Sequence, residues 1–221
     1  MSQFLIADDH PLFREALKGA LTKQFEPLEI LESDTFDTTL AVLESHEDLD
    51  ILLLDLHMPG NGDLYGLIRI REDYPDLPIA VVSGSEDLHV VSKVMGYGAM
   101  GFIPKSSSAQ EIAAAINEIL EGDTWLPENI KDKVQAISGE ERELAAQVSS
   151  LTPQQYKVLS YLHEGLLNKQ IAYELNISEA TVKAHITAIF RKLGVYNRTQ
   201  AVLIASKLQL ESLENQQQET H

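Results

Sequence analysis

Four places along the chain carry residues able to do polar chemistry together: Asp8-Asp9, Asp55, Ser83 and Lys105. Each follows a short aliphatic run, Phe4–Ala7, Ile51–Leu54, Ile79–Val82 and Gly101–Ile103. Runs of that kind read as strands. If the strands are parallel, all these side chains converge on one edge of a sheet. Three carboxylates brought together repel one another and are costly unless a cation sits among them. A carboxylate cluster with no imidazole or thiolate partner suits a hard cation with oxygen ligands, in practice Mg2+. A hydroxyl and an ammonium facing that cation supply donors and positive charge, which the oxygens of a transferring phosphoryl group require. Taken singly, the same residues have plainer readings. Asp8-Asp9 suits an acidic turn capping the helix after Pro11, and Ser83 a loop hydroxyl.

The elements that must position these groups are legible over the first 120 residues. A further strand reads at Glu29–Glu32, and helical patterns fall near 11–24, 36–45, 63–73, 87–95 and 109–121. The third and fourth strands are apolar without alternation, as in strands covered on both faces. Five such units predict an α/β doubly wound, five-stranded parallel sheet with right-handed crossovers, in which ligands bind beyond the carboxyl ends of the strands.

Residues 122–149 change character. Gly122, Pro127 and Gly139 punctuate an acidic stretch with helical pieces at Ile130–Ile137 and Glu140–Val148, which predicts a partly helical linker. From Leu151-Thr152-Pro153 onward the pattern is helical throughout, a small all-α domain over 150–210 followed by a polar, Gln-rich flexible tail, 211–221. Within it, Asn168–Leu175 and Glu179–Leu193 are two helices separated by the turn Asn176-Ile177-Ser178. Ser178 suits an N-cap and Gly194 a left-handed C-cap. On a helical wheel Val182, Ile186, Ile189 and Leu193 share one face with Phe190 beside them. Ala184, Thr187 and Arg191 point the other way, and Lys183 lies at the edge. A helix with a small, polar, basic outer face fits the major groove of DNA, although any amphipathic surface helix carries some Lys and Thr.

The net charge of −17 is unevenly distributed. Residues 1–120 hold 7 Lys/Arg against 21 Asp/Glu, whereas residues 151–210 hold 7 against 3. This asymmetry assigns an anionic partner to the C-terminal part and different work to the rest. The absence of cysteine excludes disulfides, thiolate metal sites and cysteine nucleophiles, and fits a reducing cytoplasm. No apolar run approaches the ~18 residues of a membrane span, and the N-terminus lacks the basic flank of a signal peptide.

Residues 3–120 resemble the receiver domains of two-component response regulators, with a flavodoxin-like fold. The resemblance rests on Ile6-Ala7-Asp8-Asp9-His10-Pro11, Leu54-Asp55-Leu56-His57-Met58-Pro59-Gly60, Ser83 and Phe102-Ile103-Pro104-Lys105. It implies that Asp55 accepts a phosphoryl group from a phospho-histidine on a sensor histidine kinase. Asp8, Asp9, Asp55 and the backbone carbonyl of His57 would hold Mg2+, and Ser83 and Lys105 would grip the phosphate. Phe102 would be the aromatic switch that turns inward as Ser83 moves. Otherwise Phe102 reads as plain core and the His57 imidazole as solvent-facing. Lys105 is followed by Ser106 where many receivers have proline.

Residues 150–208 resemble the LuxR-type helix-turn-helix of the NarL/FixJ subfamily. The matching segments are Leu151-Thr152-Pro153, Asn168-Lys169-Gln170-Ile171-Ala172, Leu175, Ile177-Ser178, Thr181-Val182-Lys183-Ala184-His185, Lys192-Leu193-Gly194-Val195 and Asn197-Arg198-Thr199-Gln200-Ala201. The resemblance places Lys183, Ala184 and Thr187 at the bases, with Thr181 and Arg191 on the same DNA-facing helix. It puts Lys169, Lys192 and Arg198 at phosphates, and Gln200–Leu208 at a dimer contact. Gln154-Gln155 stand where family members carry Arg-Glu.

The implied protein is a transcription regulator, not an enzyme beyond dephosphorylating itself. Its receiver would span 1–121, and its partners would be the kinase, DNA, a second copy when active and, as a further candidate, RNA polymerase, with no membrane. Two rivals stand beside it. A Mg2+-dependent phosphatase with an aspartyl nucleophile would need a second carboxylate in an Asp-x-Asp pair, and Leu56-His57 follow Asp55 instead. The second rival is a regulator that works without phosphorylation and keeps the pocket as a relic.

Overall fold

A parallel strand buried on both faces needs an uninterrupted apolar run, and Ile51-Leu52-Leu53-Leu54 and Ile79-Ala80-Val81-Val82 are such runs. Both lie fully buried at the centre of the sheet. The structure, a computed structural model, describes residues 1–46 and 48–208. It divides into two compact units, Met1–Ser149 and a second beginning at Ser150.

In the first unit five strands form one sheet: β1 (Ser2–Ala7), β2 (Leu28–Ser33), β3 (Ile51–Asp55), β4 (Ile79–Ser83) and β5 (Gly101–Pro104). Their order is β2-β1-β3-β4-β5, parallel throughout, so the order reverses between β1 and β3. The crossovers are α1 (Pro11–Leu21), α2 (Phe36–Ser45), α3 (Leu64–Asp73) and α4 (Leu88–Gly96), and α5 (Ala109–Leu120) follows β5. One face of the sheet buries Phe4, Ile6, Leu53, Val82 and Ile103 against Leu17 and Leu21 of α1 and Ile112, Ile116 and Ile119 of α5. The opposite face buries Leu5, Leu52, Leu54, Val81 and Phe102 by strand alternation.

Helix starts follow local chemistry. Thr35 and Ser108 build capping boxes with Thr38 and Glu111, and Asp87 accepts from the amides of His89 and Val90. These caps keep the loops after the strands short and place the strand-end residues together.

Residues 122–149 depart from the expected linker. Only α6 (Glu128–Lys131) and α7 (Gly139–Ser149) are helical, and the helix expected to run on to Ile137 stops at Lys131. Beyond Lys133, whose amide donates to the carbonyl of Ile130, the chain reaches α4, where Gln135 N donates to Ser92 Oγ at 3.1 Å. Ile130, Ile137, Leu144 and Val148 are buried, with Ile137 beside Gly96 of α4 and α7 packed on α3. Trp125 pairs along Gly101, extending the edge of the sheet. An acidic surface over a buried apolar side makes this segment part of the first unit.

The second unit comprises α8 (Pro153–His163), α9 (Asn168–Glu174), α10 (Glu179–Leu193) and α11 (Arg198–Leu208). Tyr156, Leu159, Leu162, Ile171, Val182, Ile189, Leu193, Ala201 and Ala205 form its interior. The expected tail, 211–221, lies outside the described residues.

Candidate functional site

The register of the sheet assembles the acidic site. Ala7 lies beside Leu54, Asp55 beside Val82 and Ser83 beside Pro104, so Asp8, Asp55, Ser83 and Lys105 leave the sheet at one edge. Asp8 and Asp55 are almost completely buried, at 2% and 1% exposed, while Asp9 is half-buried. Lys105 Nζ lies 2.7 Å from Asp8 Oδ2 and 2.8 Å from Asp55 Oδ2. Burial alone would lower the pKa of this lysine, but its hydrogen bond to Asp55, its close contact with Asp8 and the charges of both carboxylates outweigh burial and raise it. The ring of Phe13 stands 5.0 Å from the ammonium, a cation–π contact.

Two buried carboxylates and a third beside them share one ammonium, so the site holds excess negative charge. Asp9 Oδ1 is buried without a well-formed hydrogen bond. Asp8 Oδ2, despite its short approach to Lys105, is not aligned for one either. Oxygen donors of this kind fit a hard divalent cation such as Mg2+. An imidazole was not expected among them, yet His10 Nδ1 lies 3.0 Å from Asp8 Oδ1 and 2.8 Å from Asp9 Oδ1. The four residues Asp8, Asp9, His10 and Asp55 can present one ligand atom each, all within 4.8 Å of one another.

His57 is half on the surface. Its amide donates to Asp55 Oδ1 at 3.2 Å, and its imidazole Nδ1 lies 3.9 Å from that oxygen. Ser83 is fully buried, its Oγ accepting from Ser85 N and its carbonyl accepting from Lys105 N at 2.7 Å. Phe102 is fully buried, one strand position away from Ile103.

Three supporting residues were not singled out from sequence. Arg14 Nη1 donates to the carbonyl of Asp8, and its Nε pairs with Glu32. Buried Asn61 donates from Nδ2 to the carbonyls of Asp55 and Leu56, at 3.0 and 2.8 Å, pinning the end of β3. Gly66 makes that possible, because a Cβ there would fall 1.4 Å from Asn61 Oδ1. The spacing Asn61–Gly66 carries no recognisable pattern by itself; only the close approach in space gives it meaning.

In the second unit, Ser178 caps α10 by accepting from Thr181 N at 3.0 Å, and Asn176 before it takes positive φ. Gly194 ends α10 with φ of 64°, which suits glycine. Thr181, Lys183, Ala184, Thr187 and Arg191 are all exposed on α10, and Lys169 is exposed at the start of α9. Lys183 pairs with Glu179 at 3.1 Å, one turn earlier. The Thr187 hydroxyl donates a hydrogen bond to the carbonyl of Lys183. Lys192 and Arg198 are half-buried and turned inward. Lys192 Nζ meets the carbonyl of Ser150 and Gln155 Oε1, and Arg198 donates to the carbonyls of Leu162 and Leu166. Both therefore tie the unit together. Gln155 also completes the capping box of Thr152, so the neutral residue keeps both tasks.

Comparison with known proteins covers both units. The family model for the response regulator receiver domain matches residues 4–117, and that for bacterial regulatory proteins of the luxR family matches 149–205. The glycerol metabolism activator of Pseudomonas putida is 44% identical over 213 residues, 94% of this chain and 96% of its own length. The nitrate/nitrite response regulator protein NarP of Escherichia coli is 33% identical over 207 residues, 91% of this chain and 93% of its own. Among solved structures, RcsB of Salmonella enterica serovar Typhimurium bound to promoter rprA with the phosphomimetic BeF3- aligns at TM-score 0.55. It is 26% identical and is covered over its full length by 94% of this chain.

Proposed function

We propose, because this chain belongs to the response regulators that join a receiver domain to a LuxR-type DNA-binding domain, that Asp55 is its phosphoacceptor and that phosphorylation there governs its binding to DNA. It is a transcriptional response regulator, and its relatives regulate transcription. The observation that carries the assignment is the burial of Asp55 between Lys105 and the Asp8–Asp9 pair, at the strand edge where the sheet order reverses.

A carboxylate oxygen of Asp55 attacks the phosphorus of a phospho-histidine on a sensor kinase. The P–N bond breaks, its electron pair returns to the imidazole, and an acyl phosphate remains. Lys105 holds Asp55 in place beforehand and meets the added negative charge afterwards. Ser83, on the neighbouring strand, donates its hydroxyl to a phosphoryl oxygen. Asn61 keeps the end of β3 from shifting as charge moves. Asp8, Asp9, Asp55 and the His57 carbonyl would hold Mg2+, which when bound offsets the charge of the carboxylates and the phosphoryl oxygens. The only turnover expected is self-dephosphorylation.

On the DNA side, Lys183, Ala184 and Thr187 face base edges, with Thr181 and Arg191 flanking them, and Lys169 meets a phosphate. Lys192 and Arg198 support the unit first and reach phosphate only by leaving their carbonyl partners. α11 presents half-buried Val202 and Ile204 and exposed Leu203, which suits contact with a second copy on two-fold DNA. A solved structure of RcsB shows two RcsB dimers bound to two parallel DNAs. RNA polymerase is a further candidate partner. No helix among the described residues is long and apolar enough to cross a membrane, and we assign the protein to the cytoplasm.

Phos-tag electrophoresis with acetyl phosphate and Mg2+ tests the assignment, with Asp55→Asn as control. A shifted band in the wild type that is lost in the variant is expected, together with footprints on promoter DNA that strengthen with the phosphodonor. A shift that survives in Asp55→Asn would reject Asp55 as acceptor.

A further inference from the structure

Ser83, whose hydroxyl the preceding reading gives to the phosphoryl group, already has a partner, because its Oγ accepts from Ser85 N at 3.2 Å. Ser85 Oγ in turn accepts from Asp87 N at 3.4 Å. Asp87 caps α4, accepting from the amides of His89 and Val90 at 2.8 and 3.2 Å. One turn on, Ser92 Oγ donates to the carbonyl of Leu88 at 2.7 Å and accepts from Gln135 N at 3.1 Å. Hydrogen bonds therefore lead, step by step, from the end of β4 along the first turn of α4 to Gln135.

From Gln135 the chain crosses α4 and then α3. Ile137 is buried against Gly96, where a Cβ would stand 2.5 Å from Ile137 Cγ2, so this contact has no slack. Ser138 and Glu141 start α7 with reciprocal amide bonds, and α7 packs on α3 with Leu144 and Val148 buried. Arg69 of α3 donates to the carbonyl of Ser149 at 2.8 Å. Ser149 is the last residue of the first unit and Ser150 the first of the second. Residues 135–149 thus tie together the two helices that follow Asp55 and Ser83, and the same residues lead directly into the DNA-binding unit.

We propose that residues 135–149 are a latch on α4, closed while Asp55 is unmodified and loosened when the phosphoryl group on Asp55 takes the Ser83 hydroxyl. Recruiting that hydroxyl pulls on loop 84–87, which Ser83 now holds through Ser85, and so moves the start of α4. A close-packed contact such as Ile137 on Gly96 does not stretch; it holds or it separates. Latch closure and phosphoryl binding then oppose each other, and such opposition is reciprocal, so a weakened latch favours phosphoryl binding. The inference rests on Asp55 being the phosphoacceptor, and it adds the element of this chain that senses the change.

Amide hydrogen exchange on the full-length protein, with and without beryllofluoride and Mg2+ as a stand-in for the phosphoryl group, tests the latch. The amides of Gln135 and of α7 should exchange at least about fivefold faster with beryllofluoride in the wild type and should not respond in Asp55→Asn. Unchanged or slower exchange in a wild type whose fluorine resonances show bound beryllofluoride would overturn the latch alone. A wild type that binds no beryllofluoride would overturn the Asp55 reading, and the latch with it. Ser92→Ala removes the acceptor of Gln135 N, and Gly96→Ala displaces Ile137. Each should bind beryllofluoride at least about threefold more tightly than the wild type, a gain that a merely structural role does not produce. No gain in either variant would overturn the latch, and the milder Ser92→Ala keeps the test decisive if Gly96→Ala fails to fold.

Discussion

Lys105 bridges Asp8 and Asp55, its ammonium 2.7 Å from one buried carboxylate and 2.8 Å from the other. Removing it leaves two carboxylates facing each other out of water. We expect Lys105→Ala to lower stability by roughly 3 kcal/mol, the low end for a broken buried pair because Asp9 admits some water. Mg2+ should restore part of the loss by binding only the folded state. Urea melts with and without Mg2+ check this, and an equally stable variant without the ion would reject the bridging role. The acetyl-phosphate band shift should disappear in the same variant.

Gly66 is a helical position where propensity alone favours alanine by about 1 kcal/mol. Packing reverses that sign, because the added Cβ would collide with Asn61 Oδ1. Gly66→Ala should destabilise the protein by about 1–3 kcal/mol, as overpacking does. Combined with Asn61→Ala it should cost less than the sum of the two single changes. Chemical denaturation of the four proteins in the cycle reads this directly.

Glu32 joins β2 to α1 through Lys18 and Arg14, at 2.7 and 3.2 Å. The hydrogen bond from Lys18 lowers its pKa below the usual carboxylate value; burial opposes this, and Arg14 assists it. A folded pKa below the unfolded one contributes stability that is fully present above the unfolded value. That stability disappears as pH falls through the folded one. The stability gap between wild type and Glu32→Gln should thus be open at neutral pH and close in the acid range below the ordinary glutamate pKa. A gap of constant size from pH 7 to 3 would contradict the assignment.

Lys169 and Lys192 should behave differently although both are basic. Lys169→Ala is expected to leave stability unchanged, weaken all DNA sites alike and reduce the slope of log affinity against log salt by about one. Lys192→Ala removes ties to Ser150 and Gln155 and should also lower the melting stability of the second unit, by roughly 1 kcal/mol. DNA titrations over a salt series, paired with thermal melts, separate the two.

Ile137 lies buried beside α4 in non-helical chain. Ile137→Ala should cost about 2 kcal/mol and open residues 122–149 to limited proteolysis. Unchanged protection would mean that the segment is held mainly by α7 against α3.

Much of this was legible from residue order. Apolar runs ending in Asp8-Asp9, Asp55, Ser83 and Lys105 determined a parallel sheet with one polar edge, because a strand covered on both faces has little choice of residue and loops follow its end. Thr152-Pro153, Ser178 and Gly194 likewise marked helix ends, since capping is a local interaction within a few residues. Tertiary structure decided what depends on distant approach. It folded His10 back over the carboxylates, set Asn61 into the space left by Gly66, and turned Lys192 and Arg198 inward onto carbonyls. It also made residues 122–149 part of the first unit, because the burial of Ile130, Ile137 and Val148 is set by the neighbouring α3 and α4 surfaces, which their own spacing does not encode.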